Sequence, residues 1–273
     1  MKSKKEEYEV ILIMLILLFI NGCNFDPAYP KIIFGEKEII VKGPNEIRDT
    51  LTISPGTTVR IEDIEGRIDV FPLYNVGKLT ILEGGKLIAR GTKENPIVFI
   101  KRSFGVDPGL YFESSASNES ILEYCEFREG VVVSISNSMT VQYCKFNLTS
   151  LDNLETHKNS TCLIRYNTFY GNQTNSIGIG VRDNSIPSIT YNQIDGKNLL
   201  TTGIGIDPSA NPKIENNNII DCEYAVYANT QNFIITSNYI VKNGIVDITG
   251  NNSHYVTYVN PRTSPVPEAG CGW

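Results

Sequence analysis

A parallel β-helix is the fold this sequence predicts, and three observations predict it. The 273 residues include 35 Ile, 18 Val and 17 Leu but only 7 Ala, a profile that favours strands over helices. There are 27 Asn against 4 Gln. Both carry an amide, so the excess points to what Asn alone offers, tolerance of left-handed backbone and hydrogen bonds to its own turn. The third observation is a repeat. The segments LEYCEF, VQYCKF, IRYNTF, ITYNQI, IENNNI and ITSNYI align on Cys125, Cys144, Asn167, Asn192, Asn217 and Asn238, at intervals of 19, 23, 25, 25 and 21 residues. One patterned hexapeptide recurring at that period signals a solenoid whose coils stack on their neighbours.

The pattern inside the hexapeptide sets the geometry. Counting the aligned residue as zero, position −3 is aliphatic throughout (Leu122, Val141, Ile164, Ile189, Ile214, Ile235) and position +2 is large and apolar (Phe127, Phe146, Phe169, Ile194, Ile219, Ile240). Residues five apart in a straight strand face opposite sides, so both enter one core only if the chain bends between them. The bend is expected near position zero, where Asn is the residue that tolerates it, and stacked Asn side chains there can pass amide hydrogen bonds from coil to coil. A second apolar strand follows each hexapeptide, as in Gly178-Ile179-Gly180-Val181 and Gly203-Ile204-Gly205-Ile206. Two or three short strands per coil suit a parallel β-helix; the frames of leucine-rich and helical repeats are missing.

The N-terminal residues read as an address. Val10 to Ile20 form an unbroken apolar run behind Lys2, Lys4 and Lys5. At about 1.5 Å per helical residue the run reaches roughly 17 Å, a signal-peptide core and too short to span a bilayer. It ends in Ile20-Asn21-Gly22-Cys23, which resembles a bacterial lipobox with Cys23 as the lipidated residue. The expected organisation is a signal peptide over 1–22, a lipidated cysteine and tether over 23–31, one β-helix domain over 32–260 and a closing segment over 261–273.

The units PSITYNQI, PKIENNNI and FIITSNYI, with the stretch GKLTILEGGKLIARGTKENPIVFI, resemble the right-handed parallel β-helix proteins of the pectate-lyase-like superfamily, in particular its bacterial lipoproteins. The resemblance covers roughly residues 32 to 270. It implies an all-β, right-handed parallel β-helix of about ten coils. It leaves function open, because that superfamily mixes lyases, hydrolases, esterases, epimerases and non-catalytic proteins.

Charge and motifs narrow the chemistry. A net charge of −6 and two His argue against nucleic acid as partner and against a multi-His metal centre. The hydrolase signatures of the superfamily are missing, and Asp207-Pro208 continues as Ser209-Ala210 rather than as the epimerase motif. His157, in the polar stretch SLDNLETHKNST, and His254 have no evident partner. The remaining catalytic candidates are Arg182, Asp183 and Asp207, with Arg182 falling over Asp207 when the Gly-Ile-Gly strands are aligned. An exposed cross-strand ion pair, worth about 0.2–1 kcal/mol, is the plainer reading. Tyr124, Tyr143, Tyr166 and Tyr191 at position −1 form a stripe that is either a sugar-stacking platform or a packing column. Cys125 and Cys144 occupy one corner of adjacent coils, as a bridge or as buried thiols.

The expected protein is a non-catalytic, lipid-anchored β-helix of the bacterial cell envelope, on the outer membrane or cell surface. It is expected to bind a polysaccharide or a surface protein along its side. The alternatives are a lyase or glycoside hydrolase of acidic glycans and a structural spacer or adhesin stalk. No cofactor is expected, with Ca²⁺ only for a lyase, and the chain is expected to be monomeric.

Overall fold

A computed structural model describes residues 31–64, 76–102, 109–147, 152–171, 174, 176–197, 199, 202–228, 233–241, 243, 246–249 and 256–273. The signal segment, Cys23, nearly all of the tether and His254 lie outside the described residues. Among those described, 28 strands run from β1 (Lys31–Phe34) to β28 (Val256–Val259), with no helix. They form three sheets of nine, ten and nine strands. All pairings are parallel except that of β1 with β2 (Glu38–Lys42), which lays an antiparallel strand on the outer edge of the first coil. Nine to ten strands per sheet agree with the expected number of coils, a stack of roughly 45 Å at about 4.8 Å per coil.

One coil shows how sequence becomes shape. β10 (Ile121–Glu123) lies in the first wall, β11 (Cys125–Arg128) in the second and β12 (Val133–Ile135) in the third. The hexapeptide therefore spans the corner between walls one and two, and the second apolar strand is wall three. Position −3 stacks through wall one, Leu122 on Val141 on Ile164 on Ile189 on Ile214 on Ile235. Position +2 stacks through wall two, Phe127 on Phe146 on Phe169 on Ile194 on Ile219. The Phe rings of Phe99, Phe127, Phe146 and Phe169 lie face to face at 5.1, 4.6 and 4.5 Å. This interior is fully buried and continuous from coil to coil.

The corner corrects one expectation. The left-handed residue is position −1, not zero: Tyr124, Tyr143, Tyr166, Tyr191, Asn216 and Ser237 have φ between 49° and 56°. Left-handed backbone costs a residue with a Cβ about 1–2 kcal/mol, so six such corners need compensation. Position zero supplies it. Asn167, Asn192, Asn217 and Asn238 are fully buried, and their side chains form a ladder. The backbone N–H groups of Cys144, Asn167, Asn192 and Asn217 each donate to the Oδ1 of the next coil's Asn at 2.8–3.0 Å. Each Nδ2 donates backwards to the position −3 carbonyl of the preceding coil at 2.9–3.0 Å. Gln would overshoot by a methylene and Asp has no N–H to give. In the two Cys coils a thiol takes the backward role: Cys125 Sγ donates to Ala89 O and Cys144 Sγ to Leu122 O, both at 3.5 Å. All five described cysteines are free and buried.

Residues 261–273 run back along this corner. Val266 and Asn218 exchange two hydrogen bonds, at 2.7 and 3.1 Å. Gly270 N donates to Tyr191 O, Cys271 N to Thr168 Oγ1, and Trp273 Nε1 to Tyr143 O. Carbonyls of two left-handed tyrosines, Tyr191 and Tyr143, are thereby satisfied.

Replacing Asn192 with Leu removes the acceptor of Asn167 N and Nδ2 and the donor to Ile164 O inside a dry corner. Each orphaned group costs about 1–3 kcal/mol, so urea unfolding of Asn192→Leu is expected to show a loss of about 3 kcal/mol or more. A loss below about 1 kcal/mol contradicts the ladder.

Candidate functional site

The ends of wall three carry the chain's densest set of ionised contacts among the described residues. Coils leave this wall by four-residue turns, among them Glu113–Ala116, His157–Ser160, Arg182–Ser185 and Asp207–Ala210, closed by N–H···O bonds of 3.0–3.1 Å. Lys158, Asn159, Asp183 and Asn184 have φ of 51°, 62°, 42° and 49°, so two of these turns have left-handed residues at both central positions, the type I′ pattern. The fourth residue of each turn, Ala116, Ser160, Ser185 or Ala210, is small and buried. The residues at which the coils leave this wall form a column, Glu113, Ser136, His157, Arg182 and Asp207, whose backbone N–H groups all bond to the coil before. Tyr111, Ser134, Glu155, Gly180 and Gly205 form the parallel column one residue pair further in.

Arg182 joins these columns. Its Nη1 donates to Asp207 Oδ1 at 3.0 Å on the next coil, and its Nη2 to Asp152 Oδ2 at 3.0 Å on the coil before. Glu155 Oε1 lies 3.7 Å from Nε. A Cβ at Gly180 would stand 3.2 Å from that Nε, so the glycine is what lets the guanidinium lie flat along the wall. His157 sits between two carboxylates, with Nδ1 3.2 Å from Asp183 and Nε2 3.4 Å from Glu155.

This crowding shifts the ionisations. Burial, then the hydrogen bond and negative charge of Glu155, push Asp152 up to about 7 against the pull of Arg182. Burial also pushes Glu155 up, but hydrogen bonds from His157 and Asp152 and the charge of Arg182 outweigh it and hold that carboxyl low. His157 is raised, first by its hydrogen bond to Glu155, against its own burial, and then by Asp183. Asp152 and Glu155 titrate as one pair that shares a proton.

Of the sequence candidates, the structure brings Arg182 onto Asp207 and sets Asp183 on a turn tip, 62% exposed and directed to His157 rather than to Arg182. Asp152 and Glu155 were missed, and His157, expected to have no partner, has two. They belong to a polar stretch that reads as a loop insertion but forms β15 (Asp152–Thr156), paired with β18 (Ile177–Val181). The available signal was Leu154, 25 residues before Ile179, which is 25 before Ile204; all three fill one inward column.

The tyrosine stripe is a stack. Tyr124, Tyr143, Tyr166 and Tyr191 lie ring on ring at 5.0, 5.1 and 5.2 Å with interplanar angles of 10°, 6° and 19°. Both faces of Tyr143 and Tyr166 are covered by their neighbours, so these two offer edges, not platforms, to a sugar. Trp273 closes over the Tyr124 end at 6.4 Å, with Lys145 Nζ 4.1 Å from its ring centre.

Residues 74–265 match a protein family described as periplasmic copper-binding protein (NosD). No curated protein and no solved structure matches the chain. The family description corrects the expectation of no cofactor, because it names copper. The donors described here do not fit that metal. Copper takes thiolate, thioether and imidazole ligands, yet among the described residues no three His, Cys, Asp or Glu are grouped to hold a metal ion. Burial pushes Cys162 and Cys222 up to about 12 and raises Cys125 well above the ordinary thiol range, which keeps them protonated. Met139 is sealed in the core, and carboxylates meet both nitrogens of His157. Cys23, Met14 and His254 lie outside the described residues.

The pair gives a signed pH dependence. Between the ordinary carboxyl range and about pH 7, folded Asp152 holds a proton that the unfolded chain has lost, so stability falls as pH rises through that window. Raised His157 acts in the same sense, its contribution disappearing as pH rises through its folded value. Thermal melts at pH 5 and pH 8 are expected to differ by several degrees in the native chain and by clearly less in Asp152→Asn. An unchanged difference contradicts the shared proton.

Proposed function

The chain belongs to the NosD family of periplasmic proteins, and from that premise we propose that it is an exported, non-catalytic β-helix that binds a polysaccharide or a protein partner along its side. The family's periplasmic setting agrees with an exported chain. The observation that carries the binding reading is the outer face of wall three. There Arg182, Asp152, Glu155, His157 and Asp207 are fixed in register across three coils by backbone ladders, so a ligand would meet polar groups already ordered. No step is assigned to copper, since the described donors do not suit it.

In this reading Cys23 carries the lipid that holds the β-helix at a membrane. Cys23→Ala is expected to leave the protein uncleaved or soluble; an unchanged membrane fraction and mature mass would defeat the anchor.

A second reading, a carbohydrate-active enzyme, draws on one observation. A carboxyl near neutrality beside one held low is the division of labour that general acid–base chemistry uses. The two part in one assay. Incubation with pectate, alginate and glycosaminoglycans is expected to release neither unsaturated nor reducing ends, while a glycan array or surface pull-down retains a partner. Release of such ends favours the enzyme, and failure of both captures favours a spacer.

A further inference from the structure

We infer that the turn edge of wall three docks an extended, lysine- or arginine-rich segment of a protein partner. The inference deepens the binding reading above and rests on it. Three observations carry it.

The first is charge. The carboxyls of Glu113, Asp152, Glu155, Asp183 and Asp207 share this edge with Arg182, Lys158 and His157; with one proton shared by Asp152 and Glu155, four carboxylates still face three cationic side chains. The excess is negative, and Asp183, Asp207 and Glu113 are 62%, 35% and 33% exposed.

The second is an internal stand-in. Lys158 reaches back across two coils to set its ammonium 3.2 Å from Glu113 Oε2 and 3.4 Å from Tyr111 OH, 6.0 Å from the Tyr111 ring centre. This shows that the carboxylate and ring accept an alkylammonium. An exposed ion pair of this kind is worth only about 0–1 kcal/mol, so an incoming cation can displace it.

The third is Ser136. It lies between Glu113 and His157 in the column, is only 3% exposed, and its Oγ has no hydrogen-bond partner among the described residues. A buried hydroxyl left without a partner is uncommon, and this one stands in the same column as Glu113 and His157.

The spacing suits a strand. Glu113 and Asp183 are three coils apart, about 14 Å, and side chains four residues apart on an extended peptide are also about 14 Å apart. An acidic glycan would instead meet repulsion along this edge.

Binding of fluorescent octalysine to the full chain tests the inference, with octaglutamate and a neutral oligosaccharide as comparisons. Octalysine alone is expected to bind. Glu113→Gln/Asp183→Asn/Asp207→Asn is expected to weaken it at least tenfold. Glu36→Gln/Glu94→Gln/Glu268→Gln, which removes the same charge from exposed positions elsewhere, is expected to leave it within twofold. Lys158→Ala is expected to tighten binding several-fold and the charge-matched Lys197→Ala to do so by less. Melting curves establish that each variant folds. Equal losses in the two triple variants, or equal effects of the two lysine variants, overturn the docking site as mere bulk charge. Binding of the neutral oligosaccharide without octalysine overturns it too, while leaving the broader reading, tested by array and pull-down, in place.

Discussion

The amide ladder at the corner between walls one and two is the constraint on which the rest of this structure depends. A parallel β-helix must turn sharply between short strands, and here the turn is made by a left-handed residue with a full side chain. That geometry pulls backbone N–H groups out of the ordinary strand pairing, and the buried Asn of the next coil receives them. Because each Asn also donates to the coil before, the coils are locked in register, not merely stacked. The tyrosines follow from this. Their backbone is strained, their rings recover stabilisation by stacking, and the C-terminal segment supplies donors to two of their carbonyls.

Register is what gives the far face its chemistry. With each coil fixed against the next, the first residue of every wall-three turn falls into a single column, so residues 25 apart in sequence become neighbours. Arg182 can then contact three carboxylates on two adjoining coils, and Gly180 leaves room for it to do so. Desolvation first, then the hydrogen bond and negative charge of Glu155, raise Asp152 and make the face sensitive to pH.

The fold was legible where the pattern is strict. The aliphatic residue at −3 and the large apolar residue at +2 face one core and so recur without exception, which exposed the hexapeptide, its bend and the stacking. The bend was read one position late, because Asn tolerates left-handed backbone better than Tyr and the reading rested on that preference. A lone preference yields to a ladder that needs the amide inside. The polar face was legible only in part. Arg182 and Asp207 directly follow strands with a plain Gly-Ile-Gly frame, so alignment placed them together. Asp152 and Glu155 lie on β15 and His157 on the turn that follows it; the single plainly inward Leu154 is flanked by polar residues, so the strand resembles a loop. Outward positions carry no periodic demand, and the sequence marks them only through their inward neighbours. Copper entered through the family match; the described residues offer no donor cluster that would have suggested it.

Hydrogen exchange at the backbone N–H groups of Cys144, Asn167, Asn192 and Asn217 tests the ladder most directly. If side-chain amides lock the coils, these four exchange only through global unfolding, with an opening free energy equal to that from urea denaturation. Exchange at these four positions orders of magnitude faster than in the neighbouring strands would contradict the account.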